Sequence, residues 1–175
     1  MIGLHSISAT AMASMLRSLD GILDKGAEHA RAKKFDETVL ASARLAPDMF
    51  PLAKHVIIAC DLAEEALSRL AGRPIEKGAP GEETYAGVRT RIAKTLERID
   101  AVKPDALEGA EDRAIEIPIS KEMGFSMTGL EYLRDWALPQ LHFHAAIAYA
   151  ILRNNGVELG MKDWGAAAGA YLRKH

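Results

Sequence analysis

Apolar residues recur along most of this chain at intervals of three and four, the spacing that gathers them on one face of an α-helix. Ile7, Met12, Met15, Leu19, Ile22 and Leu23 form the first stripe, which predicts a helix capped by Ser6 or Ser8 and running to about Ala30. Gly21 and Gly26 weaken it without ending it. Asp36, followed by Thr38 and Val39, predicts a short capped turn, and Pro47 closes the connection. A second stripe follows in Leu52, Val56, Ala59, Ala63, Ala66 and Leu70. Asp48 is placed to cap it, Pro51 to lie in its first turn and Gly72 to end it. Asp61, Glu64, Glu65, Ser68 and Arg69 make its wet face.

RPIEKGAPG, rich in proline and glycine, predicts a loop. The third helix is expected to start near Glu82 or Thr84, with Val88, Ile92, Thr95, Leu96 and Ile99 inward. Arg89, Arg91, Lys94 and Arg98 read as its solvated face. Residues 103–112 read as loop or frayed helix. The period then changes from helical to two: Arg113, Ile115, Ile117 and Ile119 alternate with Ala114, Glu116 and Pro118. With a return strand near Met123–Met127, this predicts a small hairpin, Pro118 holding it at an edge.

Thr128 caps the next helical run, which leads through Pro139 into the least polar long stretch of the chain. There Leu141, Ala145, Ala148 and Leu152 share a face, and Phe143, Ile147, Ala150 and Asn154 form a second row. A helix apolar around most of its surface is expected between several neighbours. Pro139 supplies its start and Gly156 its stop. A turn and a short final helix follow over 161–171. Four long amphipathic segments joined by modest loops predict an all-α fold: a four-helix bundle with a small β-hairpin insertion and a short C-terminal helix. A length of 175 residues makes this a single domain spanning 1–175.

Composition narrows the function classes more than it selects one. A net charge of −2 and a pI near 6.3 leave no nucleic-acid footprint. The single cysteine, Cys60, excludes an internal disulfide and fits a reducing cytoplasm. The first residues lack the basic and apolar regions of a signal peptide, and no apolar run reaches the roughly 18 residues of a membrane helix. A cytoplasmic protein with no membrane and no nucleic-acid partner is expected. GAPGEET does not match a phosphate-binding loop, and no G-x-S-x-G occurs. Nothing beside Cys60 in sequence would lower its pKa.

The histidines carry what chemistry the sequence offers. His55 and His144 border the core faces of two different helices, so they can meet across a bundle interior, where imidazoles commonly bind Zn, Ni or Fe. The plain alternative is a core-edge histidine bonded to a backbone carbonyl or a carboxylate. His142 lies about 200° from His144 around the helix, on the row of Ala146, Tyr149 and Arg153. His142, Tyr149 and Arg153 are the candidates for a polar pocket, with Arg153 as anion holder. His5, His29 and His175 are terminal or exposed positions.

RLAPDMFPL and ACDLA, taken with LPQLHFHAAIAYAILRNNGVELGMKDWG, resemble a branch of the DinB/YfiT-like superfamily catalogued as a bacterial domain of unknown function. SATAMASMLRSLDGILDKG and RTRIAKTLERID extend the resemblance over nearly the whole chain. The resemblance implies a DinB-like four-helix bundle with non-sequential packing, commonly a homodimer. It also implies a divalent metal held by one histidine on the second helix and an H-x-x-x-H pair on the last. His55 matches the first position and His144 the start of the pair, but the residue four further on is Ala148. The expected function is a bundle that binds a small molecule in an interior cleft and keeps a degenerate metal site. The alternatives are a metal-dependent thiol transferase or hydrolase with His55 and His144 as ligands to Zn or Ni, and a non-catalytic dimeric structural module.

Overall fold

The computed structural model describes residues 3–75 and 83–173. The four apolar stripes become α1 (Ala11–Lys33), α3 (Leu52–Leu70), α4 (Tyr85–Asp100) and α6 (Leu138–Asn154). Each buries most of the residues that its spacing placed inward, Leu19, Val56, Ile92 and Ala148 among them, but Leu96 is half-buried and Ile7, in the turn before α1, is exposed. Helix α2 (Thr38–Ser42) is the expected short turn, with the Asp36 carboxylate accepting from the Thr38 amide at 2.8 Å.

Packing does not follow chain order. Helix α1 lies against α4 and α6, α3 lies against the same two, and α1 and α3 face each other across the diagonal. Helices α3 and α4 run in the same direction: Lys54 and Glu83 meet near their starts, and Asp61 reaches Arg91 further along. Helix α6 runs against α3, with His144 beside His55 and the residues before α6 beside the end of α3, where Leu70 approaches Gly129. The α1–α4 seam is fixed by the Tyr85 hydroxyl, which donates to the Leu23 carbonyl at 2.7 Å. Gly26 makes that approach possible, because a Cβ there would collide with the Tyr85 hydroxyl.

The hairpin is β1 (Ala114–Pro118) paired antiparallel with β2 (Gly124–Thr128), Ile115 opposite Met127 and Ile117 opposite Phe125. Its base is buried in the core at Ile115, Ile117 and Met127 pack partly against that core, and Ile119 lies beyond the strand in the exposed tip. Arg69 donates from the end of α3 to the Glu116 carbonyl, and Arg113 packs over Gly72. Thr128 then caps α5 (Gly129–Glu131) in a reciprocal capping box with Glu131. Helix α7 (Met161–Trp164) and a 3₁₀ segment (Ala166–Tyr171) form the C-terminal piece, tied to α1 by Lys25 and Asp163 at 2.6 Å.

Several expectations need correction. Ser6 and Ser8 do not cap the first helix; a widened π turn (Ser6–Thr10) precedes α1, and Ser8 is buried, donating back to the Leu4 carbonyl. Pro51 in extended conformation, not Asp48, is the N-cap of α3. Thr84 does cap α4, accepting from the Gly87 amide, whereas Glu82 and the loop beyond Ile75 lie outside the described residues. Pro139 does not start α6. Helix runs on from Gly129, and a π stretch (Tyr132–Ala137) absorbs the proline, whose ring would crowd the Asp135 carbonyl and whose nitrogen carries no hydrogen. Nor is α6 enclosed: Phe143 stays 55% exposed on its outer side.

The largest correction concerns charge. Arg91 is not on a solvated face; its side chain is only 8% exposed. It holds Asp61 at 2.7 Å and Glu64 at 2.9 Å. Glu64, expected on the wet face of α3, also accepts from Thr95 at 2.6 Å and from Arg98 at 2.7 Å. Period alone cannot reveal this, because the flank of α3 faces that of α4 and both flanks are polar. Glu64→Ala would leave the Arg91 guanidinium buried without its main partner, and an expected loss of about 3–5 kcal/mol follows in urea unfolding. Arg98→Ala, at a side chain 50% exposed, should cost less than about 1 kcal/mol. Equal losses from the two variants would show that the buried pair is not what joins α3 to α4.

Candidate functional site

The first turns of α3 and the second turn of α6 bring His55 and His144 together. His55 follows Leu52 by three and precedes Ala59 by four, so it shares their inward face and is 3% exposed. His144 stands between Leu141 and Ala148 on the matching row of α6. Their Nδ1 atoms are 2.9 Å apart, with ring planes 43° from each other. At that distance one Nδ1 carries the proton and the other accepts it. Phe50 and Phe143 set their ring edges against His55 and His144 from outside. The His55 Nε2 atom is buried and has no hydrogen-bond partner among the described residues.

This environment favours the neutral pair. Burial lowers the pKa of His55, and repulsion from His144 lowers it further. Burial likewise lowers that of His144. A second proton would set two N–H groups against each other across the short contact.

The donor set does not fit the metal that the resemblance implies. A catalytic zinc site usually has three protein ligands, whose nitrogens or oxygens sit about 2.0–2.2 Å from the ion. Two imidazoles already bonded to each other are present, and the position one turn past His144 holds the buried methyl of Ala148. Among the described residues no group of three or more His, Cys, Asp or Glu side chains is placed to hold a metal ion.

The remaining candidates disperse. His142 is exposed, Tyr149 sets its ring edge on Trp164 at 6.0 Å, and Arg153 turns back to the Val157 carbonyl at 3.4 Å. None of the three lines either of the two cavities described below. His5 is not free: its Nε2 lies 2.8 Å from the Val102 carbonyl. His29 packs edge-on to Phe35, and His175 lies outside the described residues. Cys60 is buried, and burial pushes its thiol up to about 12, so it is no nucleophile near neutral pH.

The larger cavity lies away from the histidines. A cleft of about 340 Å³ opens between the last turns of α3 and α4, walled by Leu67, Ala71, Ile99 and Val102, with Arg73 and Arg98 among its polar groups. A second, of about 310 Å³, lies between the start of α1 and the end of α4, beside His5, Arg17 and Lys103. The first had a sequence signal. Glu64, Leu67, Ser68 and Ala71 fall at i, i+3, i+4 and i+7 on one strip of α3, mixing charge, hydroxyl and apolar surface.

Residues 4–165 match the family described as a domain of unknown function, DUF1993. A crystal structure described as that of a DinB family member protein from Shewanella denitrificans is 37% identical in sequence. The match covers 93% of this chain and 91% of that one, with a TM-score of 0.85. No functionally curated protein matches.

The histidine pair makes stability depend on pH with a definite sign. Both groups are depressed below their ordinary value of 6.5, so the unfolded chain binds more protons as pH falls through and below that value. Their contribution is complete above about pH 7.5 and declines from about pH 6.5 downward. Urea unfolding at pH 7.5 and 5.5 should show this fall, and a His55→Gln/His144→Gln double variant should flatten it. A double variant with an unchanged pH slope would remove the pair as its source.

Proposed function

The chain belongs to the DUF1993 family, within the DinB-like superfamily, and we propose that it acts as a small-molecule-binding bundle whose histidine pair serves as a structural lock rather than a metal centre. The observation that carries the binding half is the α3–α4 cleft. Its volume of about 340 Å³ lies within the range of small-molecule sites, and its lining mixes aliphatic walls with a few polar groups.

The histidine half rests on the 2.9 Å contact and on Ala148. A neutral imidazole pair sharing one proton joins α3 to α6 in the place where a third ligand would make a metal site. The lock spans an interface on the far side of α3 from the cleft, so it holds one wall of the cleft without touching a ligand.

Elemental analysis of untagged protein, purified without chelator, tests this reading. Zn and Ni should stay well below one per chain. His144→Ala should leave metal content unchanged while costing about 1–3 kcal/mol in unfolding, as a buried His55 nitrogen loses its partner. A stoichiometric metal that disappears in His144→Ala would overturn the lock and favour a thiol transferase or hydrolase with His55 and His144 as ligands.

A further inference from the structure

We infer that the α3–α4 cleft selects an organic anion, a carboxylate or sulfonate carried on an apolar body, with Arg73 as the residue that reads the charge. This rests on the cleft being a binding site, and it names the class of ligand.

Donors and acceptors around the cleft are unequally engaged. Glu64 is the one acidic side chain in the lining, and both its oxygens are engaged. Oε1 receives Arg91 at 2.9 Å and Thr95 at 2.6 Å, and Oε2 receives Arg91 at 3.1 Å and Arg98 at 2.7 Å. A carboxylate so surrounded has little left for a cationic ligand. The carbonyls at the end of α3 are closed as well: Leu67, Ser68 and Arg69 accept from the amides of Ala71, Arg73 and Gly72. The one carboxylate at the cleft and these three carbonyls are therefore engaged.

The donors are not. Arg98 places one guanidinium nitrogen on Glu64 and has others free. The Arg73 side chain is exposed at the cleft, and its guanidinium makes no hydrogen bond or ion pair among the described residues. The Ser68 hydroxyl is likewise without a partner among them. Unspent donors at the rim, above the walls of Leu67, Ala71, Ile99 and Val102, match a ligand with one anionic group whose oxygens accept from a guanidinium and an apolar remainder.

Neighbouring charge agrees with this assignment. Arg91 and Arg98 are balanced by Glu64 and Asp61, which among the described residues leaves Arg73 as the one charge of the lining without a counter-charge. A neutral ligand would fill the walls and leave that guanidinium in water.

Calorimetric titration of the full chain with 2-naphthoate and with its neutral counterpart 2-naphthamide tests the inference. Naphthoate should bind at least about tenfold more tightly, the size of effect that a charge-assisted bidentate contact at a wet rim supplies. Arg73→Ala should remove most of that preference and leave naphthamide unchanged, because Arg73 lies outside the Glu64 network and its loss does not disturb the fold. Ser68→Trp, which fills the cleft from α3, should abolish binding of both. Equal binding of the two probes, or a preference that survives Arg73→Ala, overturns the anionic class while leaving the cleft as a binding site. Binding of neither probe, or binding that persists in Ser68→Trp, overturns the class and the site together.

Discussion

The contact between Arg91 and Glu64 is the one on which the arrangement of α3 depends. Two parallel neighbouring helices point their dipoles the same way, and these two also meet along polar flanks. Neither the dipoles nor the flanks draw them together. A guanidinium with two carboxylate partners and a threonine hydroxyl that completes Glu64 turn that polar seam into a specific one. Desolvating a charge is costly, so such a pair specifies an alignment more than it adds stability. Once α3 is aligned on α4, its other faces meet α6 through His55 and the hairpin through Arg69.

The histidine pair and the cleft therefore sit on opposite flanks of one helix. On the α6 side the two Nδ1 atoms satisfy each other, and the His55 Nε2 is left buried beside them. On the α4 side the acid is satisfied by its own network, and basic groups remain turned outward. The same helix thus carries a paired histidine contact near its start and an open cleft near its end.

The stripes were legible because a period of 3.6 survives whatever the neighbours are. Leu52 through Leu70, and Leu141 through Leu152, needed only their spacing to place their inward residues, and His55 with His144 followed from the same phase. Arg91 and Glu64 were misplaced because an arginine on a helix flank looks alike whether it faces water or a partner's carboxylate. Asp48 lost the N-cap because Pro51 is nearer the first turn and already holds an extended backbone. Phe143 misled in the opposite direction: an apolar row beside another suggested full enclosure, yet among the described residues Phe143 stays more than half exposed. The cleft was missed since the α3 strip of Glu64, Leu67, Ser68 and Ala71 describes only one of its two walls, the other belonging to α4.

The π stretch before Pro139 has a consequence for how the two histidines find each other. A π turn holds one more residue than an α turn at nearly the same rise, so it acts as an azimuthal offset of about 100° between the helix before it and the helix after it. The run from Gly129 to Asn154 is thus one rod with two phases, the first set by the Thr128 cap and the second carrying His144. Gaining or losing a residue between them would turn His144 around the rod far more than it would slide it along. The meeting with His55 is in this sense an angular coincidence maintained by residue count, and the proline that looked like a boundary marks where the angle is set.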